Sequence, residues 1–184
     1  MFHVERNIVY DLIILLEKNS MHARAMATEL EASHTTVSRK LGFLEEDNVV
    51  EYIMEGKNKK YSLKNTIEAK CLVIMSEYYA IARAVKYYPN LRNLISIISE
   101  NNDIGMAILY GINPYEKPLR NGDINLYIET DNNKIKYEIA SQYSKLNVKV
   151  GTWDFFNLHV KETINYHLVL KGIEKYIEVA KVFD

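Results

Sequence analysis

Cationic and hydroxyl side chains cluster at two places in the first third of this 184-residue chain. Lysine ammonium groups bind phosphates, arginine can bind guanine with two hydrogen bonds, and short hydroxyls can approach phosphates or base edges. Neither cluster is interrupted by Asp or Glu, so we predict that both contribute to a DNA-binding surface. The predicted DNA-binding residues are Ser33, His34, Thr35, Thr36, Ser38, Arg39, Lys40, Lys57, Asn58, Lys59 and Lys60.

The whole chain is nearly neutral, with a formal net charge of −1. A DNA-binding protein of this balance must concentrate its positive charge locally. We expect the acidic residues Glu29, Glu31 and 45–47 to lie away from the two clusters, which would leave one positive side. Two other interpretations remain open: the lysines at 57–60 could form an ordinary solvated turn, and the surface could bind a protein instead of DNA.

Other kinds of site have little support in the composition. Cys71 is the only cysteine, so no internal disulfide can form, and the five histidines include no close pair with metal-ligand spacing. We therefore expect no metal and no cofactor. No apolar run approaches the length of a membrane span, and the first residues lack the pattern of a signal peptide, so we expect a cytoplasmic protein without a membrane partner.

The elements that would position the two clusters follow from periodicity. Apolar spacing predicts helices over 4–18 and 22–30, and Ser33 is a good N-cap for a third helix that ends near Asp47. Two strand-like runs then surround residues 55–58, which is typical of a hairpin.

The segment HARAMATELEASHTTVSRKLGFLEEDNVVEY resembles the winged helix-turn-helix of archaeal and bacterial transcriptional regulators. This resemblance covers about a third of the chain and implies that residues 1–65 form a domain that binds double-stranded DNA. In that arrangement the third helix enters the major groove and the hairpin, or wing, lies beside it. We expect Arg39 to read bases directly and the wing lysines to hold phosphates.

Residues 66–88 carry apolar residues at alternating spacings of three and four, the pattern of a helix with one apolar stripe. Pro89 should end this helix, and a further helix is predicted to follow to residue 100. We expect residues 66–101 to be a helical linker and dimerisation region, with a homodimer joined along the stripe. The alternative is that the stripe packs within its own chain. The stripe consists of Ile67, Cys71, Ile74, Tyr78, Ile81, Val85 and Tyr88.

The pattern of apolar residues changes after residue 101. The runs IGMAILYGI and DINLYIET predict two strands, residues 132–145 a helix, LNVKVGT a strand, and residues 161–182 a long helix. This order predicts a small α/β domain over 102–184, and an α/β (α+β) fold class for the whole chain.

The segment ILYGINPYEKPLRNGDINLYI resembles the minimal nucleotidyltransferases of archaea and bacteria. In that family a glycine-serine turn cradles a triphosphate, and two aspartates on the next strand hold metals with a third carboxylate. Here Gly111 and Asp123 match, whereas Ile112 replaces the serine and Asn125 replaces the second aspartate. The strand at 146–151 contains no carboxylate either. The resemblance therefore implies a retained fold without catalytic residues, whose cleft could bind a nucleotide or small-molecule effector.

These observations favour a transcriptional regulator that is not an enzyme. Two alternatives stay open. One is a nucleotidyltransferase, for example one of the toxin–antitoxin type, which its winged helix would direct to a target. The other is a protein-interaction adaptor with no DNA role.

Overall fold

In a computed structural model of the chain, the described residues are 5–111, 124–143, 146–153 and 167–183. The chain divides into two compact units: the first extends to Tyr79 and includes the segment from Ala180, and the second runs from Ala80 to Val179. Each unit contains helices and one β-sheet, which confirms the predicted mixed α/β fold class. The finer division into 1–65, 66–101 and 102–184 stays a prediction.

The first unit begins with three short helices and a hairpin. Strand order in its sheet is β1-β3-β2, and both pairings are antiparallel, so the hairpin is attached to the strand that precedes the second helix. This is the winged-helix arrangement, with the hairpin as the wing. The elements are α1 (Ile8–Leu16), β1 (Met21–His22), α2 (Ala23–Glu29), α3 (His34–Glu46), β2 (Val50–Glu55) and β3 (Asn58–Leu63).

Helix α3 is fixed by its cap and by one apolar side. Ser33 is the N-cap, as predicted, and its side chain accepts a hydrogen bond from the backbone N–H of Thr36. Val37, Leu41 and Leu44 are buried, and the helix packs against α1 and α2. Burial of each such side chain contributes about 1.5–3 kcal/mol, so the opposite side of α3 is held outward by strong packing.

Two helices follow the wing, α4 (Ile67–Tyr87) and α5 (Leu91–Glu100). Pro89 lies between them, which confirms the predicted break. Helix α5 buries Leu91, Leu94 and Ile98 and contacts the sheet of the second unit. None of the helices in the described ranges has the length and apolar character that crossing a lipid bilayer requires.

The second unit is built on a mixed sheet with strand order β6-β5-β4-β7. The β5–β6 pair is parallel, and the other two pairs are antiparallel. The central strand β4 is buried along its whole length, which places the core of this unit around it. The elements are β4 (Met106–Tyr110), β5 (Ile124–Glu129), α6 (Lys134–Gln142), β6 (Leu146–Val150), β7 (His167–Lys171) and α7 (Ile173–Val179).

The prediction of one long helix over 161–182 is wrong for the residues of this range that the structure describes. Residues 167–171 form β7, and only 173–179 are helical, while 161–166 lie outside the described residues. Leu168, Val169 and Leu170 are all buried, because the strand pairs with β4 while α5 and α7 contact it. A short run that is apolar on both sides fits a buried strand as well as a helix, and periodicity alone cannot distinguish them.

Candidate nucleic-acid interface

The polar residues in the first turn of α3 bond largely to one another. The Ser33 hydroxyl accepts from the Thr36 N–H at 3.1 Å and donates to Thr36 Oγ1 at 2.8 Å. Ser38 Oγ lies 3.3 Å from His34 Nε2 one turn later. Thr35 is exposed beside them. These bonds pair the polar side chains of Ser33, Thr36, His34 and Ser38 with one another and restrict their orientations.

Arg39 lies at the centre of the outward side of α3. It is exposed and stands opposite the buried residues Val37 and Leu41. Its guanidinium forms no ion pair with any other described residue, so its donors are available to an external acceptor. Lys40 is partly buried, and its Nζ lies 6.0 Å from the centre of the Phe43 ring.

The wing lysines are less free than the sequence suggested. Lys59 Nζ lies 3.4 Å from Glu45 Oε2, and Lys60 Nζ lies 3.4 Å from Glu55 Oε1. The expectation that Glu45 lies away from the cationic side is therefore wrong, because the end of α3 passes beside the wing. Lys57 is exposed next to the turn glycine Gly56, and Asn58 is exposed beside it.

The ammonium group of Lys59 also lies over two tyrosine rings of the wing. Its Nζ is 3.6 Å from the centre of the Tyr52 ring and 5.9 Å from that of Tyr61. Desolvation alone would lower the pKa of Lys59, but bonding to Tyr52 and the charges of Tyr61 and Glu45 outweigh it and raise the pKa. Lys59 therefore remains a cation at neutral pH.

His22 links the wing to β1, a role that sequence reasoning missed. Its Nδ1 lies 3.0 Å from the Lys59 carbonyl oxygen, and its Nε2 lies 2.7 Å from Glu55 Oε2. Lys59 belongs to β3 and Glu55 to β2, so these two contacts attach His22 to both strands of the wing. The hydrogen bond from His22, followed by the charge of Lys60, lowers the pKa of Glu55. Strand pairing brings His22 to the wing, and no local sequence motif predicts this contact.

The predicted dimer stripe lies on the accessible side of α4. Ile67 and Tyr78 are 69% and 60% exposed, Cys71 is exposed, and the other four stripe residues, Ile74, Ile81, Val85 and Tyr88, are partly exposed. The residues that α4 buries are different, namely Ala69, Val73, Ser76, Glu77, Tyr79, Ala80, Arg83 and Ala84.

The transferase-like motif is only partly described. Gly111 has a positive φ of 82°, as a tight turn after a strand requires, whereas Ile112 and Asp123 lie outside the described residues. Asn125 lies on β5, and its side-chain oxygen accepts a hydrogen bond from Asn147 at 3.0 Å. The described residues contain no group of three or more His, Cys, Asp or Glu that could hold a metal.

Comparison with known proteins gives limited likeness. No family model matches the chain, and no curated protein matches it. Two solved structures are similar to part of it. The transcriptional repressor BigR from Xylella fastidiosa is 20% identical over 39% of this chain and 70% of that one, with a TM-score of 0.35. Reduced HlyU from Vibrio cholerae is 20% identical over 40% of this chain and 78% of that one, with a TM-score of 0.36.

Proposed function

We propose that this chain is a sequence-specific DNA-binding transcriptional regulator. One observation carries the proposal: Arg39 stands exposed and unpaired by any described acid on the outward side of α3, beside a lysine-rich wing. An α-helix with such a side fits the major groove, where arginine can bind guanine O6 and N7. The wing then lies against the backbone, with Lys57 on phosphate.

The ion pairs of the wing are compatible with this role. Lys59 and Lys60 each face one carboxylate at 3.4 Å in a solvent-exposed setting. Such pairs are weak in water and are screened by salt. A phosphate can therefore compete for both lysines, and the acids Glu45 and Glu55 would limit non-specific binding to any polyanion.

The test is the salt dependence and sequence preference of binding to duplexes obtained by in vitro selection. We expect Arg39→Ala to cost about 1–3 kcal/mol on the selected site and to relax preference at one base pair. Lys57→Ala should weaken binding to all DNA sequences alike and reduce the slope of log affinity against log salt concentration by about one unit.

Arg92→Ala and Lys136→Ala are matched controls, because both residues are exposed on helices of the second unit. Equal effects of Arg39→Ala and Arg92→Ala would contradict base reading by α3. A wild-type chain that shifts no duplex at low salt would contradict the whole proposal and favour the adaptor alternative.

We further propose that the chain acts as a homodimer joined along the α4 stripe defined above. Its seven residues all remain accessible in the single chain, although most are apolar, and burial of that surface against a second copy would be favourable. DNA half-sites are commonly read by two-fold symmetric dimers, which present two recognition helices. Light scattering that reports a monomer at tens of micromolar would contradict this arrangement.

For the second unit we propose a transferase-like fold that does not catalyse and that could hold a nucleotide or small-molecule effector. The support is local: Asn125 bonds to Asn147 and supplies no negative charge, and β6 carries Lys149 but no carboxylate. Thermal shifts with ATP, CTP and GTP, each with and without magnesium, test the effector idea. Metal-dependent nucleotide incorporation that Asp123→Ala abolishes would instead support the enzyme alternative.

A further inference from the structure

The outward side of α3 continues beyond Arg39 with two unusual residues, Gly42 and Phe43. Positions three, four and seven apart share one side of a helix, so Thr35, Arg39, Gly42 and Phe43 form a continuous strip. The Phe43 side chain is 50% exposed, although large aromatic residues are normally well buried. Lys40 Nζ lies 6.0 Å from the centre of its ring, so a cation accompanies this apolar surface.

Gly42 is not required by the packing of the protein. It lies inside the 13-residue helix α3 without a positive φ, and a Cβ built there would meet nothing within 4 Å. Glycine inside a helix is less favourable than alanine because its unfolded backbone is freer. A bare helix surface at this point therefore has no benefit inside the molecule, but it would let another body approach the backbone of α3 closely.

We infer that Gly42 and Phe43 form an apolar base-reading step, an inference that rests on the proposed DNA-binding function. The Phe43 ring contacts the 5-methyl group of a thymine, the one apolar feature of the major groove. The missing side chain at Gly42 lets α3 come close enough for that contact. Lys40 and Arg39, the cations that flank the step, favour DNA over an apolar protein partner.

The position of the thymine follows from the helix. Each residue advances about 1.5 Å along the axis, so Phe43 stands about 6 Å beyond Arg39. Glu45 and Glu46 occupy the next positions, and their carboxylates would be repelled by phosphates. Phe43 is therefore the last DNA contact of α3, and its thymine lies about two base pairs from the guanine that Arg39 reads, because one base pair occupies roughly 3.4 Å.

The test removes the methyl group from the DNA. In the selected site each thymine is replaced singly by uracil, and affinity is measured for wild type, Phe43→Ala and Tyr137→Ala. Tyr137 is the control, since it is an aromatic residue that is 73% exposed on α6. At one thymine position per half-site, we expect the uracil replacement to lower the affinity of wild type and of Tyr137→Ala roughly fourfold, because one buried methyl group is worth about that factor. The same replacement should not change the affinity of Phe43→Ala.

The outcomes separate the inference from the function on which it rests. Specific binding with a uracil profile that Phe43→Ala leaves unchanged overturns the reading step while the regulator proposal survives. Absence of any duplex binding by wild type overturns both.

Gly42→Ala provides a second test. We expect a higher melting temperature together with at least a threefold loss of affinity for the selected site, because the added methyl group strengthens the helix and blocks the approach. Asn93→Ala, which adds helix propensity on the exposed side of α5, should not change affinity. A Gly42→Ala protein that is stabilised and binds as wild type does would overturn the close-approach role.

Discussion

Glu17 is the residue that follows α1, and it lies against α4 in an acidic environment. Ser76 donates a hydrogen bond to Glu17 Oε1 at 3.1 Å, and Ser76 and Glu77 are both buried. Burial, followed by the charge of the Glu77 carboxylate and a hydrogen bond to it, raises the pKa of Glu17 well above its usual value of 4.5. Two buried carboxyl groups that share a hydrogen bond need one proton between them.

This pair should make the stability of the first unit depend on pH. The folded state keeps a proton on Glu17 that the unfolded chain releases above about pH 4.5. The free energy of unfolding therefore falls as the pH rises from that value toward the raised pKa, and it levels off beyond it. We predict that Glu17→Gln, which cannot ionise, is more stable than wild type at pH 8 by on the order of 1 kcal/mol.

Urea unfolding between pH 4.5 and pH 9 would measure this effect. Glu138→Gln, which changes an exposed carboxylate on α6, serves as the control and should follow the wild-type curve. If Glu17→Gln loses stability with rising pH as steeply as wild type, the pair is not the source of the dependence.

Near the candidate interface, the sequence predicts side-chain contacts only between residues that are close together along the chain. Ser33 could be recognised as an N-cap because a cap bonds to a backbone N–H three residues along the chain. The pairing of Lys59 with Glu45 and the contacts of His22 with the wing join residues far apart in sequence. Such contacts depend on how the strands align and how α3 ends beside them, which no pattern in one segment specifies.

At the scale of elements, the same distinction separates α3 from β7. Helix α3 has one apolar side and a cap, so both its start and its type follow from the sequence. Strand β7 is buried on both sides, so Leu168, Val169 and Leu170 show no alternation, and the order of strands in the sheet decides their conformation. Gly172, directly after β7, was the local sign of a break in the predicted helix.

Gly172 makes the turn between β7 and α7 possible. Its φ is +75°, and a Cβ at this position would lie 2.5 Å from the backbone oxygen of Gly105. We predict that Gly172→Ala destabilises the second unit by roughly 2–4 kcal/mol, because it combines an unfavourable backbone angle with a clash against backbone that cannot move aside. Thermal unfolding followed by circular dichroism would measure the loss.

Gly56→Ala is the informative comparison for this prediction. Gly56 also has a positive φ, of 64°, but a Cβ there would meet nothing within 4 Å. Gly56→Ala should therefore show the cost of the backbone angle alone, about 1–2 kcal/mol. Equal losses in the two variants would show that the contact with Gly105 carries no cost.

At the scale of the whole molecule, the proposed dimer would present two copies of α3 to the DNA and so impose a geometry on the binding site. A two-fold symmetric dimer reads two inverted half-sites whose centres are about one helical turn, or 34–36 Å, apart or a multiple of it. The selected sites should therefore be palindromic, with a fixed spacing of about 10 base pairs or its multiple between half-site centres. Selected sites that contain a single unpaired motif would indicate that one chain binds alone.

The proposed dimer seam can be tested by placing a charge in it. Tyr78 is 60% exposed at the middle of the α4 stripe, and its pairing with a second copy would bury it. We predict that Tyr78→Asp yields a monomer by light scattering and weakens binding to the palindrome by at least tenfold, since an unpaired carboxylate in an apolar seam is costly and a monomer engages one half-site. Tyr137→Asp, with the same change on an exposed aromatic residue of α6, should stay dimeric. If Tyr78→Asp remains dimeric, the interface lies elsewhere on the chain. If it is monomeric but binds the palindrome with unchanged affinity, DNA binding does not require the dimer.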